Sequence, residues 1–108
     1  MDNLTWLQQW YASHCDGEWE HGHGVHIDTL DNPGWAIKIA LRGTPYVELI
    51  FDEIERKGEE DWIVCRKRDG FFEGCGGAKN LDEILGVFRA WVDSRLEPAD
   101  TDRREPDL

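Results

Sequence analysis

The sequence predicts an α+β domain: an antiparallel meander sheet of four to five strands, flanked by an N-terminal and a C-terminal helix, in two layers. Three observations predict it. Apolar residues recur at three- and four-residue spacing near both ends of the chain. Between those ends they alternate with polar ones. The links between alternating segments are short, which favours antiparallel neighbours over crossovers. One face of such a sheet needs cover, and two amphipathic helices supply it.

NLTWLQQWYASH is the first helix, with Leu4, Leu7 and Tyr11 beside Trp6 and Trp10. Asp2 or Asn3 caps its start, and Gly17 stands where it should end. GVHIDTL is a half-buried strand, with Val25, Ile27 and Thr29 on one side and His26 and Asp28 on the other. DNPG is a turn: Pro33 fixes its own φ, Asn32 before it is pushed extended, and Gly34 is free to take positive φ. WAIKIALR alternates again. YVELIFDEIE reads as a third strand, ERKGEED as a charged hairpin loop, DWIVCRKR as a fourth strand and GFFEG as a short fifth. NLDEILGVFRAWVDSRL is the second helix, with Asn80 and Glu83 spaced as a capping box. Residues 1–96 form a single domain. EPADTDRREPDL, residues 97–108, lacks apolar periodicity, contains two prolines and reads as a disordered acidic tail.

The 108 residues are 40% apolar and include six tryptophans, enough for a real core. They carry 23 acids against 12 lysines and arginines, a formal charge of -11. That charge repels nucleic acid and anionic membrane and attracts basic proteins. MDNLTWLQQWYASH has no basic start or unbroken apolar run, and no stretch is long enough to span a bilayer. Cys15, Cys65 and Cys75 are odd in number and form no CxxC pair, so the expected setting is the cytoplasm, with reduced thiols.

HCDGEWEHGHGVH, residues 14–26, invites a metal reading. His21 and His23 share a side only in an extended chain, His26 then lies opposite, and His14 and Cys15 diverge at a helix end. Three glycines loosen the loop, so no metal and no cofactor is expected. Cys75 stands in a glycine-rich stretch ahead of a helix, where backbone amides could activate a thiol. It is nevertheless five residues short of the cap and has no fixed base beside it. No catalytic set is expected, the alternative being a small sulfurtransferase-like thiol enzyme using Cys75. Carboxylates are too many for any one pair to single out an acid–base couple, and one small sheet leaves little room for a sugar cleft.

The acids cluster. Residues 16–31 hold five and no lysine or arginine; residues 48–61 hold seven against Arg56 and Lys57. Trp19 lies between Glu18 and Glu20, either as a core plug or as an aromatic anchor amid charge. The expected partner-binding residues are Glu18, Trp19, Glu20, His21 and Asp28, with Asp52 and Glu55 as secondary contributors.

WLQQWYASHCDGEWEHGHGVHIDTLDNPGWAIKI, together with GFFEGCGGAKNLDEILGVFRAW, resembles the immunity protein 53 family of bacterial polymorphic toxin systems. The resemblance covers nearly all of residues 4–92, and its signatures are GEWEH (Gly17 to His21) and TLDNPGW (Thr29 to Trp35). It implies a protein that binds and neutralises a toxin encoded beside it; the missing signal sequence and catalytic set add the expectation of a monomer or weak dimer without enzyme activity. Glu18, Glu20 and His21 would then face the toxin or hold the loop that does, while Gly17, Asn32, Pro33, Gly34 and Trp35 shape the motifs.

Overall fold

The computed structural model describes the backbone of residues 1–101 and the side chains of residues 1–95. Helix α1 spans Asn3–His14 and is capped by Asp2, whose carboxylate accepts from the Thr5 N–H at 2.7 Å. Asn3 is not the cap. Its amide donates to the Asp82 carbonyl and carboxylate, both at 3.2 Å, and ties this helix to the C-terminal one. The helix stops three residues before Gly17, and a further single turn, α2 (Trp19–Gly22), follows where a loop was expected.

Strand β1 (Val25–Leu30) pairs antiparallel with β2 (Gly34–Ala40) through the predicted turn, whose Asn32–Pro33 peptide is cis. Strands β3 (Ile54–Arg56), β4 (Ile63–Arg68) and β5 (Phe71–Gly76) complete one five-stranded antiparallel sheet in the order β1-β2-β5-β4-β3. The up-and-down course therefore holds within β1–β2 and within β3–β4–β5. Between β2 and β3, residues 41–53 carry the chain to the far edge.

The segment expected as a third strand enters the sheet only at its end. Pro45–Glu48 is a 3₁₀ turn, started by Thr44, whose hydroxyl accepts from the Tyr46 N–H at 3.2 Å and donates to the Leu41 carbonyl at 2.6 Å. The alternation of Val47, Leu49 and Phe51 thus reflects burial along a link rather than a strand. The short fifth strand is in fact a central one that pairs on both sides.

Helix α3 (Leu81–Thr101) runs five residues into the segment expected to be tail; residues 102–108 lie outside the described residues. It packs over β5 because Gly74 has no side chain, and a Cβ there would overlap Ile84. The core lies between the helices and one sheet face. Ile37, Ile39, Ile63, Cys65 and Phe72 meet Leu7, Trp10, Ile84, Phe88 and Trp91. The other face, formed by residues such as Asp28, Ala36, Lys38, Cys75 and Val64, has no helix over it among the described residues. No helix among the described residues is long and apolar enough to cross a membrane.

Gly34 makes a second close approach: a Cβ there would strike the Gly76 carbonyl oxygen of the neighbouring strand, a backbone atom with little room to move. Gly34→Ala should cost about 1–3 kcal/mol, as overpacking does. Gly22→Ala, where the added Cβ meets open space, should stay within about 0.5 kcal/mol. Thermal melts of the two variants compare them directly, and equal midpoints would refute the clash.

Candidate partner-binding surfaces

GEWEH folds as a self-closing corner. The Asp16 carboxylate accepts from the Glu18 and Trp19 N–H groups, both at 2.9 Å. The Glu20 carboxylate reaches back to the Asp16 and Gly17 N–H groups at 2.9 and 2.8 Å. Gly17 has φ +95, a conformation that suits glycine. Backbone N–H groups of Trp19 and Glu18 hold the Asp16 carboxyl below its usual range, and those of Glu20 itself, Asp16 and Gly17 do the same for Glu20. Glu20 therefore holds the loop, while Glu18 and His21 stand exposed on it.

Trp19 is the plug beneath this corner. It is 7% exposed, its Nε1–H donates to the Arg42 carbonyl at 2.8 Å, and its ring contacts Trp10, Tyr11 and His14. The His23 ring stacks on it with centroids 5.9 Å apart, while His21 sits in the helical turn. Burial lowers the pKa of His14, favouring its neutral form. Among the described residues no three His, Cys, Asp or Glu side chains gather so as to hold a metal ion.

Asp28 and Glu55 occupy opposite ends of one register row across the open face: Asp28, Ala36, Cys75, Val64, Glu55. Four interstrand steps put them roughly 19 Å apart. Asp52 lies in the exposed link before β3. The expected binding residues thus fall in three places rather than one. Between Asp28 and Glu55 the face leans basic. Glu73 pairs with Arg66 and Arg68, both at 3.3 Å, and the Lys38 ammonium stands 4.5 Å from the Phe71 ring centroid. Cys75 is inside β5, not in a loop before a helix. Burial pushes its thiol up and pushes Cys65 to about 12, the opposite of an activated nucleophile.

Sequence reasoning missed a cleft of about 610 Å³ where the β1–β2 turn, the β3–β4 loop and the β5–α3 loop meet. Pro33, Glu59, Glu60, Asp61, Trp62 and Asn80 line it. The second signature frames it: the Trp35 Nε1–H donates to the Ala78 carbonyl at 2.8 Å and pins the β5–α3 loop. Arg56 is clamped by both Glu83 oxygens, at 2.6 and 2.7 Å, and by Asp61 at 2.6 Å. Asn80 precedes α3 as predicted, but its Nδ2 donates to Asp61 at 2.9 Å and Glu83 at 3.1 Å, so its side chain serves the carboxylates. The only sequence signal for the cleft was the acid run that ends at Asp61.

Trp19→Ala should destabilise by about 3–5 kcal/mol, as deletion of a buried aromatic does, and an unchanged melting temperature would exclude the plug role.

Folding lowers the Asp16 and Glu20 carboxyls. The stability they confer is therefore complete above the ordinary carboxylate range, about pH 4, and is lost as pH falls through their lower folded values. Melts from about pH 7 to 3 should decline, and those of Asp16→Asn/Glu20→Gln should start lower and decline less. Parallel curves would show that the corner does not depend on the two charges.

The model of a family described as immunity protein 53 matches residues 4–93. No curated protein and no solved structure matches. The matched span takes in α1 from its second residue, α2, the whole sheet, most of α3 and both signatures, and the chain belongs to the immunity protein 53 family.

Proposed function

We propose that this protein binds and neutralises a cognate toxin of a polymorphic toxin system, encoded by a neighbouring gene, and that the toxin is basic, as a nuclease is. The carrying observation is the family match over residues 4–93. The formal charge of -11 supports the basic partner. On this reading the protein acts in the cytoplasm as a monomer or weak dimer, by blocking its target rather than by chemistry of its own.

Charge acts in two ways at such an interface. Long-range attraction depends on the summed field and needs no single patch, so acids spread over several elements still speed capture. Glu18 beside His21, Asp28, Asp52 and Glu55 are exposed and supply that field. Glu20 contributes its charge while it holds the corner, and Trp19 supports the corner from beneath. Slow release requires desolvated anchors, a separate and local requirement.

Neutralising Glu18, Asp28 and Asp52 together (Glu18→Gln/Asp28→Asn/Asp52→Asn) should slow association with the neighbour-encoded toxin several-fold at low salt and flatten its salt dependence. Stopped-flow or surface-binding kinetics at low and high salt measure this. A correctly folded triple variant that associates at the wild-type rate in both would show that these acids do not guide the partner.

A further inference from the structure

We infer that the cleft between the β1–β2 turn, the β3–β4 loop and the β5–α3 loop is the socket for a basic side chain, a lysine or arginine, of the partner toxin. The inference rests on the immunity reading and adds where the partner is held.

Its chemistry is that of an acceptor site. Glu59, Glu60 and Asp61 face one lining cation, Lys79. Arg56, the guanidinium beside the cleft, is already occupied by Asp61 and Glu83, two carboxylates against one positive charge. Glu59 and Glu60 have no ion pair among the described residues. Their attraction is therefore directed outward.

The second observation is Asn80. It is 7% exposed and lines the cleft, and its Oδ1 has no hydrogen-bond partner. The amide cannot turn over to cure this, because its Nδ2 is committed to Asp61 and Glu83. A buried acceptor without a donor is costly and rare, and here it leaves an unmet acceptor in the wall of the cleft. Trp62, half-buried, and Pro33 add an aromatic and an aliphatic wall, which suit the stem of a long basic side chain and a cation against the indole. The volume, about 610 Å³, lies within the range of ordinary ligand pockets. A bare metal ion fits less well, since no three carboxylate, histidine or thiol groups among the described residues are placed so as to hold one together. An anion would meet three carboxylates.

The test uses the full chain and the neighbour-encoded toxin, with affinity measured by calorimetry and rates by surface binding. The side chains of Glu59 and Glu60 are exposed and make no hydrogen bond within the described residues, so Glu59→Gln/Glu60→Gln should melt like wild type. It should bind the toxin at least tenfold more weakly, chiefly through faster dissociation. Glu60→Lys should abolish binding, and reversing the charge of one basic toxin residue should restore it. If wild type binds and protects but Glu59→Gln/Glu60→Gln binds as tightly, the socket is refuted and the immunity reading stands. If no charge reversal in the toxin rescues Glu60→Lys, the occupant is not a basic side chain. If wild type neither binds nor protects, the immunity reading fails and takes the socket with it.

Discussion

Phe88 is the contact through which the two layers become one. It is fully buried in α3, and its ring meets Trp10 at 5.1 Å, Phe72 at 5.0 Å, Trp6 at 5.9 Å and Trp91 at 6.1 Å. One side chain thus joins both helices to the central strand, with aromatic pairs that add to simple area burial. The rest of α3 fastens what this contact brings close. Glu83 holds Arg56 of β3, Arg89 donates to the Met1 carbonyl at 2.8 Å, and Trp91 donates to the Ile50 carbonyl at 2.9 Å. The last bond secures the link between β2 and β3, which has few ladder bonds of its own.

Three of the six tryptophans share a pattern. Trp19 and Trp91, buried in the core, and Trp35, half-buried outside it, each direct the indole N–H to a carbonyl of a non-regular segment, at Arg42, Ala78 and Ile50. A chain of this length that must order long links gains from such pins, because each satisfies a polar group while burying a large apolar surface. Trp10 makes no such bond. It is buried in the same aromatic cluster and its Nε1 has no partner.

Local features made the helices and the first hairpin legible: the spacing of Trp6, Leu7 and Trp10, the stripe of Ile84, Phe88 and Trp91, and the turn at Pro33. What stayed hidden depends on contacts between distant residues. Pairing of β2 with β5 joins Trp35 to Gly76, a register no local pattern encodes. Gly74 and Gly76 make β5 look weak as a strand, yet they are the price of α3 lying close to the sheet. Val47, Leu49 and Phe51 mimic strand alternation because a link that runs along the core edge also turns every other side chain inward. For the site, acidity was legible and its placement was not. Nothing beside Trp19 in sequence announces Arg42 as its partner, and the cleft requires Pro33, Trp62 and Asn80, which come from three separate loops.

The charges are also distributed in space in a way that composition conceals. Lys38, Arg66 and Arg68 surround Glu73 on the open sheet face, so the middle of this face is positive in a strongly acidic chain. The excess acid is displaced to the sheet's edges and to the loops at its ends, at Glu18 on one side and at Glu59 and Glu60 on another. A basic partner approaching such a field feels a torque as well as an attraction, since positive surface is drawn to the loop ends and repelled from the middle of the sheet. Orientation before contact matters because the requirement to align two specific patches is what slows most protein association. The clamp of Arg56 by Asp61 and Glu83 contributes to the same end. It satisfies the internal cation within the fold and leaves the carboxylates of Glu59 and Glu60 free to act outward.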